Sequence, residues 1–348
     1  MIRYTTIAAS NSENPRNDTA NVVELTNGDL MVLWHKYEGS SGADLALCRI
    51  YSKTSSDQGV TWKNERLVID VAPGDMNVHA PAINRLADGE LLLVCLRVHA
   101  ENSTTMSVYR SADEGSSFTP TGTVWERSHG QWLQGGASSI VVLSTGRVVL
   151  PCHGGDGGQF KQHNSALCWL SDDGGQTWRK SKGVVDLPMR GAMEASVAEL
   201  ESKLFMSLRT QLGSIFFCHS EDGGESWTLP QTTGLGAPES GSCLRRIPGT
   251  ETLMLIWNDS SYEPLHHHYG RRRPLAVALS DDQGRSWNRW GDIEAGEYEL
   301  TNIGCTFTES GDAIITYMKV EDRDWDRFVR TGIDLCAAIV PISELLGK

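Results

Sequence analysis

Short apolar segments bounded by turn residues recur along the whole chain. Turn sequences such as Asn27-Gly28-Asp29 and Asp88-Gly89-Glu90 each precede a short apolar run. A brief alternating segment stands before such turn sequences, for example at 21–25, 82–86 and 196–200. Alternation with a period of two around a glycine-containing turn is typical of β-hairpins. We predict six hairpins, whose second strands lie at 30–34, 91–95, 148–152, 204–208, 252–257 and 313–317.

A third strand and a recurring turn follow the first five hairpins. The turn has the pattern Ser-x-Asp-x-Gly-x-Ser/Thr-aromatic and occurs at 55–62, 111–118, 171–178, 220–227 and 280–287. Its Ser and Asp side chains can bond nearby backbone N–H groups, its Gly supplies a positive φ, and its aromatic residue packs on the sheet. Self-similarity at this regular spacing is typical of repeat folds. Four antiparallel strands repeated six times predict an all-β fold, a six-bladed β-propeller.

The two ends of the chain are expected to meet in the sixth blade. That unit has no Asp-containing turn, and its third strand is predicted at 333–341. A strand at 2–8 is the natural donor of the fourth strand, because the pairing would remove two exposed strand edges. We therefore expect a single propeller domain over residues 1–348, with the N-terminal strand closing the last blade.

Composition narrows the possible partners of such a propeller. The net charge of −13 disfavours nucleic acid and anionic membranes, although a local group of arginines could still bind a small anion. No apolar run approaches the length of a membrane-spanning helix, and the first residues lack a signal-peptide pattern, so we expect a cytoplasmic protein, or a secreted one if a leader was removed. The eight cysteines are scattered singly, which predicts reduced core residues.

Antiparallel strand order predicts which polar residues share a rim. The start of each first strand, the end of the second and the start of the third lie at one end of a blade, opposite the Asp-containing turns. First strands line the central axis, so polar residues at these positions should converge. Three histidines share this rim without a metal-ligand spacing, and we predict neither metal nor cofactor. The candidates are Arg16, His35, Asp44, His79, Arg97, His153, Glu194, Arg209, Asn258, Asp259, Arg273 and Asn302.

Five Asp-boxes on a six-bladed plan resemble the sialidase superfamily, the BNR-repeat or neuraminidase-like propellers. The resemblance covers essentially the whole chain and extends to the positions of charged residues. Sialidases have an Arg before the first strand of blade one, and Asn14-Pro15-Arg16 stands there. Their second Arg follows the second strand of blade four, as in Leu208-Arg209-Thr210. Their third Arg precedes the blade-five Asp-box, where Arg271-Arg272-Arg273 offers Arg273.

The same resemblance implies three catalytic residues. The acid/base Asp of sialidases lies upstream of the first Asp-box, which corresponds to Asp44, and their Glu begins the first strand of blade four, which corresponds to Glu194. The Tyr nucleophile, activated by the Glu, falls at the start of the blade-six first strand. Tyr298 stands near this position, whereas strand register alone points to Thr301 or Asn302.

These residues predict an exo-glycoside hydrolase that removes a terminal acidic sugar, such as sialic acid, from a glycan. Three guanidinium groups would hold the carboxylate through bidentate hydrogen bonds, with His35, His79, His153 and Asn302 as further substrate-binding residues. A lyase or another glycosidase acting on uronic acids, with proton transfer by His79, His153 or Tyr298, stays open. So does a non-catalytic glycan-binding propeller, in which Glu194 and Arg209 form a structural ion pair. The loop containing His266 to His268 and Arg271 to Arg273 could equally be a solvated insertion.

Overall fold

Twenty-five β-strands account for most of the residues that the structure describes. The computed structural model describes residues 1–135, 140–158, 162–261, 270–321 and 330–347. No helix in these ranges is long and apolar enough to cross a bilayer. The elements are β1 (Arg3–Ala8), β2 (Asn17–Glu24), β3 (Leu30–Tyr37), β4 (Cys48–Ser55), β5 (Lys63–Ile69), β6 (Asn77–Arg85), β7 (Leu91–Ala100), β8 (Ser103–Ser111), β9 (Thr119–Trp125), β10 (Gln131–Gly135), β11 (Val141–Val142), β12 (Val148–Asp156), β13 (Ser165–Ser171), β14 (Arg179–Lys180), β15 (Met193–Leu200), β16 (Lys203–Arg209), β17 (Ser214–Ser220), β18 (Gln231–Gly236), β19 (Cys243–Arg246), β20 (Leu253–Asn258), β21 (Leu275–Ser280), β22 (Asn288–Glu294), β23 (Tyr298–Phe307), β24 (Asp312–Glu321), β25 (Asp334–Pro341) and α1 (Ile342–Leu345).

The strands form six antiparallel sheets that follow one another in chain order. Blade one is β2 to β5, blade two β6 to β9, blade four β15 to β18 and blade five β19 to β22. In blade three the innermost position is shared by β10 and β11, which both pair with β12. First strands of neighbouring blades contact one another, as β2 does with β6 and β23. The six-bladed propeller predicted from the repeat is confirmed.

The sixth blade is closed by the N-terminal strand, as predicted. Its order is β1-β25-β24-β23, with Arg3 opposite Ile339 and Ala8 opposite Leu335. This pairing gives the outer edge of β25 a hydrogen-bonded partner, so that blade six has four strands. The short helix α1, which follows β25 directly, was not predicted.

Apolar side chains fill the spaces between adjacent blades. Met31 and Leu33 of β3, for example, pack with Leu91 and Leu93 of β7 in one buried cluster. Both faces of the inner strands are therefore apolar, which explains why the second strands read as nearly continuous hydrophobic runs. All eight cysteines are buried as free thiols.

Each Asp-containing turn is held by the same set of short hydrogen bonds. In the third turn, Ser171 Oγ accepts from the Gly175 N–H at 2.8 Å and donates to Asp173 Oδ1 at 2.7 Å. Asp173 also accepts from the backbone and hydroxyl of Thr177, at 2.9 and 2.6 Å. Gly175 has a φ of 87°, which a side chain would strain. Equivalent bonds hold the turns around Asp57, Asp113, Asp222 and Asp282.

Candidate active site

A polar pocket lies on the propeller axis, where the starts of first strands and the ends of second strands meet. It contains eight of the ten residues predicted to form the site, namely Arg16, His35, Asp44, His79, His153, Glu194, Arg209 and Asn302. Arg273 and Tyr298 are not among its lining residues. The pocket also contains residues that the sequence did not single out: Asp18, Thr19, Tyr37, Ala80, Trp132, Gln134, Asn164, Arg190, Met193, Arg272, Met318 and Arg330.

Four first strands carry a β-bulge at the level of this pocket. In each, the ladder register shifts beside a residue with positive φ, which non-glycine residues adopt only at a cost. The bulges lie in blades one, two, four and six, and the residue with positive φ in each of them lines the pocket. The residues concerned are Thr19 with φ 28°, Ala80 with φ 50°, Glu194 with φ 40° and Asn302 with φ 54°.

Asp44, the predicted acid/base, is held between two arginines. Its Oδ1 accepts from Arg16 Nη1 at 2.7 Å and from Arg330 Nη1. Arg16 is further fixed by the Gly42 carbonyl at 2.8 Å and by the ring of Tyr37, whose centroid lies 4.7 Å from the guanidinium carbon. Shielding from water would raise the pKa of Asp44, but Arg330 and Arg16 hold it below its ordinary value. At neutral pH Asp44 is therefore a carboxylate.

Asp18 joins the first and last blades at the pocket floor. Its carboxylate accepts from Arg16 Nη2 and from Asn302 Nδ2, and His35 Nε2 lies 3.5 Å away. Only 1 % of the side chain is exposed. Burial would raise the pKa of Asp18, yet Arg16, His35 and Asn302 hold it well below its ordinary value. The carboxylate is thus a buried anion whose partners come from β3, β23 and the residue just before β2.

A second ionic network lies across the pocket in blade four. Arg209 Nη1 donates to Glu194 Oε1 at 2.6 Å, and its Nη2 lies 3.4 Å from Glu239 Oε1. Arg190 pairs with the same oxygen of the fully buried Glu239. Shielding from water would raise the pKa of Glu194, but the charge of Arg209 and its hydrogen bond hold the pKa below its ordinary value. Glu194 is thus held as an anion at the pocket wall.

Arg272 lines the pocket at the position where the resemblance offered Arg273. Its Nη1 donates to Thr301 Oγ1 and its Nη2 to the Glu239 carbonyl, both at 3.3 Å. Burial, followed by the charge of Arg209, lowers the pKa of Arg272 to about 10. This guanidinium therefore remains charged at neutral pH, and it contributes a positive charge to the pocket lining.

Tyr298 begins β23 but lies away from the pocket. Its ring packs against the buried cluster between blades five and six, and Lys319 Nζ lies 4.1 Å from the ring centroid. The tyrosine that does line the pocket is Tyr37, which is 1 % exposed beneath Arg16. Burial raises the pKa of Tyr37 well above its ordinary value. Neither geometry presents a phenolate to the pocket, so the identity of the nucleophile stays a prediction.

Two of the three pocket histidines have a defined tautomer. His35 Nδ1 accepts the Ala80 N–H, and His153 Nδ1 accepts the Glu194 N–H, each at 3.3 Å. In both cases the donor is the bulged residue of the next blade, so the proton of the neutral ring lies on Nε2. Burial lowers the pKa of His153 to about 4 and that of His79 to about 3, so both rings are uncharged at neutral pH.

The remaining rim candidates lie outside the pocket lining. Arg97 pairs with Asp75 and donates to the Tyr109 hydroxyl at 2.7 Å. Asn258 donates to the Leu300 carbonyl at 2.6 Å, and Asp259 accepts from Arg289. These contacts connect neighbouring strands. His266 to His268 fall outside the described residues.

Comparisons with known proteins agree with this architecture. The family model of the BNR repeat-like domain matches residues 71–320, more than half of the chain. The chain belongs to the BNR repeat-like family. No curated protein sequence matches it.

Several solved structures share the fold of this BNR propeller at low sequence identity. A protein of unknown function from Dyadobacter fermentans superposes with a TM-score of 0.76 at 16 % identity, covering 98 % of this chain and 99 % of that one. A Hadza microbial sialidase superposes with a TM-score of 0.78 at 18 % identity, covering 98 % of this chain and 68 % of its own. The sialidase of Trypanosoma rangeli superposes with a TM-score of 0.74 at 15 % identity, covering 99 % of this chain and 60 % of its own. The fold is therefore sialidase-like.

The pocket of this BNR propeller has the charge of an anion site. Five arginines and three carboxylates line it, although the chain as a whole carries a net charge of −13. Among the described residues, no group of three or more His, Cys, Asp or Glu side chains is placed to hold a metal ion. The arrangement can bind a small anion and place carboxylates and imidazoles around it.

Proposed function

We propose that this BNR propeller is a sialidase-like exo-glycoside hydrolase that removes a terminal acidic sugar from a glycan. The observation that carries the proposal is the convergence of Arg209, Arg272 and Arg330 on an axial pocket that also contains Asp44 and Glu194. A guanidinium binds a carboxylate through two parallel hydrogen bonds, so several of them fix a sugar acid in one orientation. The Trypanosoma rangeli sialidase, which shares the fold, has been solved in complex with the inhibitor DANA.

Substrate binding would itself prepare Asp44 for proton transfer. A sugar carboxylate drawn to Arg330 competes for the charge that lowers the pKa of Asp44, and a second anion beside Asp44 raises that pKa. Protonated Asp44 then gives its proton to the glycosidic oxygen as the bond from that oxygen to the anomeric carbon breaks. Water adds to the anomeric carbon and gives its proton to Glu194. Water is the nucleophile proposed here because Tyr298 lies away from the pocket.

The test uses a panel of chromogenic glycosides of sialic, glucuronic and galacturonic acids, each with its methyl ester as the uncharged control. We expect release from at least one acid and none from its ester. Asp44→Asn and Glu194→Gln are each expected to lower turnover about 100-fold, the usual contribution of a general acid or base. Full turnover in both variants, or equal cleavage of acid and ester, would contradict the proposal.

A second function, β-elimination on a uronic acid, is favoured by the two uncharged histidines. His79 Nε2 is buried without a hydrogen-bond partner among the described residues. It could take the proton next to a carboxylate held by the arginines, after which the bond to the leaving oxygen breaks and a carbon–carbon double bond forms. The product is an unsaturated uronate that absorbs ultraviolet light, whereas hydrolysis gives no such product. Saturable binding of sugar acids without any product would instead identify a glycan-binding propeller.

A further inference from the structure

The lining of the pocket divides into two walls of different chemistry. The side from blades one, four, five and six carries all of its arginines and carboxylates. The side from blades two and three carries no Asp, Glu, Lys or Arg among its described lining residues. We call this second side the neutral wall, and it consists of His79, Trp132, Gln134, His153 and Asn164.

His153 presents a hydrogen-bond donor from this wall. Its Nδ1 is occupied by the Glu194 N–H at 3.3 Å, so the neutral ring holds its proton on Nε2. The carboxylate of Glu194 is meanwhile bound by Arg209. A ring fixed in this tautomer donates one hydrogen bond and cannot accept a proton at Nδ1 without losing the bond to Glu194.

His79 adds a second imidazole to this wall. The ring is 7 % exposed and lies between His35 and Trp132, at centroid distances of 5.5 and 6.3 Å. Its Nε2 has no hydrogen-bond partner among the described residues. A buried polar atom without a partner is costly, and ligand binding is one way in which a site recovers that cost.

Two amides complete the wall with groups that both donate and accept. Trp132 Nε1 lies 3.4 Å from Gln134 Oε1, and Asn164 Oδ1 accepts from Gln162 Nε2 at 3.2 Å. Neutral imidazoles, amides and an indole suit hydroxyl groups, which donate and accept in turn. They do not suit a second anionic group, because burying a charge without a counter-charge is strongly unfavourable.

We propose that the neutral wall binds the hydroxyl groups of the sugar whose carboxylate the arginines hold, with His153 Nε2–H as a specificity-determining donor. The substrate is then a sugar acid with one negative charge, and derivatives that carry a sulfate on the ring are rejected. This inference rests on the proposed function for the location of the carboxylate. The tautomer of His153 does not depend on it.

The first experiment measures that tautomer directly in the full-length protein. Long-range proton–nitrogen NMR spectra at pH 7, assigned with His153→Asn, are expected to show a neutral His153 with its proton on Nε2. A proton on Nδ1, or a charged ring, would overturn the inference whatever the enzyme cleaves.

The second experiment uses two substitutions that each keep one half of the imidazole. In His153→Asn, Oδ1 can still accept the Glu194 N–H, but the donor toward the pocket is lost. In His153→Gln, the amide nitrogen replaces the donor at Nε2 while the bond to Glu194 is lost. We expect kcat/KM to fall about 10- to 100-fold in His153→Asn and less than about 5-fold in His153→Gln, in line with the loss of one specific hydrogen bond.

The probes separate failure of the wall from failure of the proposed function. Among the methyl glycosides of N-acetylneuraminate, glucuronate and galacturonate, the sugar that binds best is compared by calorimetry with its O-sulfated derivative. Weaker binding of the sulfated sugar by 10-fold or more is expected. Equal binding of both, or equal losses in the two His153 variants, would overturn the neutral wall even if hydrolysis is observed. If only uncharged methyl glucoside bound, the wall would stand and the proposed function would fail.

Discussion

The two rims of this propeller use the same carboxylate side chain in opposite ways. On one rim, the partners of Asp173 are Ser171 and Thr177, two and four residues away. On the other, Asp44 bonds Arg16 and Arg330, which lie 28 and 286 residues away, and Asp18 bonds Asn302 across 284 residues. An Asp-containing turn is therefore complete once its own octapeptide has formed, whereas the pocket exists only when the whole ring has assembled.

The rims also differ in how the negative charge is stabilised. Asp173 is exposed, and backbone and hydroxyl donors from its own turn lower its pKa to about 2, against the raising effect of partial desolvation. Asp18 and Asp44 are shielded from water, and guanidinium groups from other strands keep them ionised. Loss of a partner of the carboxylate costs little stability where water can replace that partner, and much where water cannot. Substitutions on the two rims should therefore have effects of different size and kind.

The largest expected effect is on stability, from Asp18→Asn. The substitution keeps the shape of the side chain but leaves Arg16 beside a buried amide. Breaking a buried ion pair in this way typically costs about 3 to 5 kcal/mol. We expect the free energy of unfolding in urea to fall by about 3 kcal/mol. Asp172→Asn is the control, because its surface pairs with Arg147 and Arg179 contribute little. Equal losses in the two variants would contradict the role of Asp18 at the joint between the blades.

The next effect is on activity and separates Arg272 from Arg273. The resemblance assigned the substrate carboxylate to Arg273, whereas the pocket contains Arg272. We expect Arg272→Met to lower kcat/KM for an acidic glycoside about 100-fold, mainly through KM, since a charged hydrogen-bonded pair is lost. Arg273→Met is made in parallel, and the larger loss identifies the carboxylate ligand. A larger loss in Arg273→Met would show that the loop before β21 is arranged differently when substrate is bound.

The smallest effect is expected at the opposite rim. Asp173→Ala removes the hydrogen bonds that hold one turn and should lower the free energy of unfolding by about 1 to 2 kcal/mol, with KM unchanged. The folded pKa of about 2 lies below the ordinary value of 3.8, so this contribution is present above about pH 4 and is lost as the pH falls toward 2. Urea unfolding at pH 7 and at pH 2.5 measures the difference. A gap between wild type and variant that widens in acid would contradict it.

The same contrast explains what the sequence could predict. The six blades and their strand order follow from hairpin and turn patterns that lie within single units. The closure by β1 follows from the missing Asp-containing turn of the sixth unit. The positions of Arg16, Asp44, Glu194 and Arg209 in the pocket follow from strand order. Their catalytic and binding roles stay predictions.

Side-chain positions that depend on strand register were harder to predict from the sequence. The bulge between Asp18 and Ala20 breaks the alternation of inward and outward side chains, so the sequence pattern does not place Asp18 in the pocket. Arg272 and Arg273 precede β21 in an irregular segment, where no period decides which side chain faces the axis. Arg330 lies a few residues before β25, and its contact with Asp44 joins residues that are 286 positions apart in the sequence. The positive φ of Glu194 could not be read from a residue type that rarely adopts it.

The pairing of β1 with β25 also affects the order in which the blades are completed during synthesis. β1 is synthesised long before β25 and has no partner on that edge until β25 has been made. The contact of Asp18 with Asn302 joins blade one to blade six, so the nascent chain can build five blades before the pocket is complete. The pocket is thereby complete only in molecules whose ring has closed.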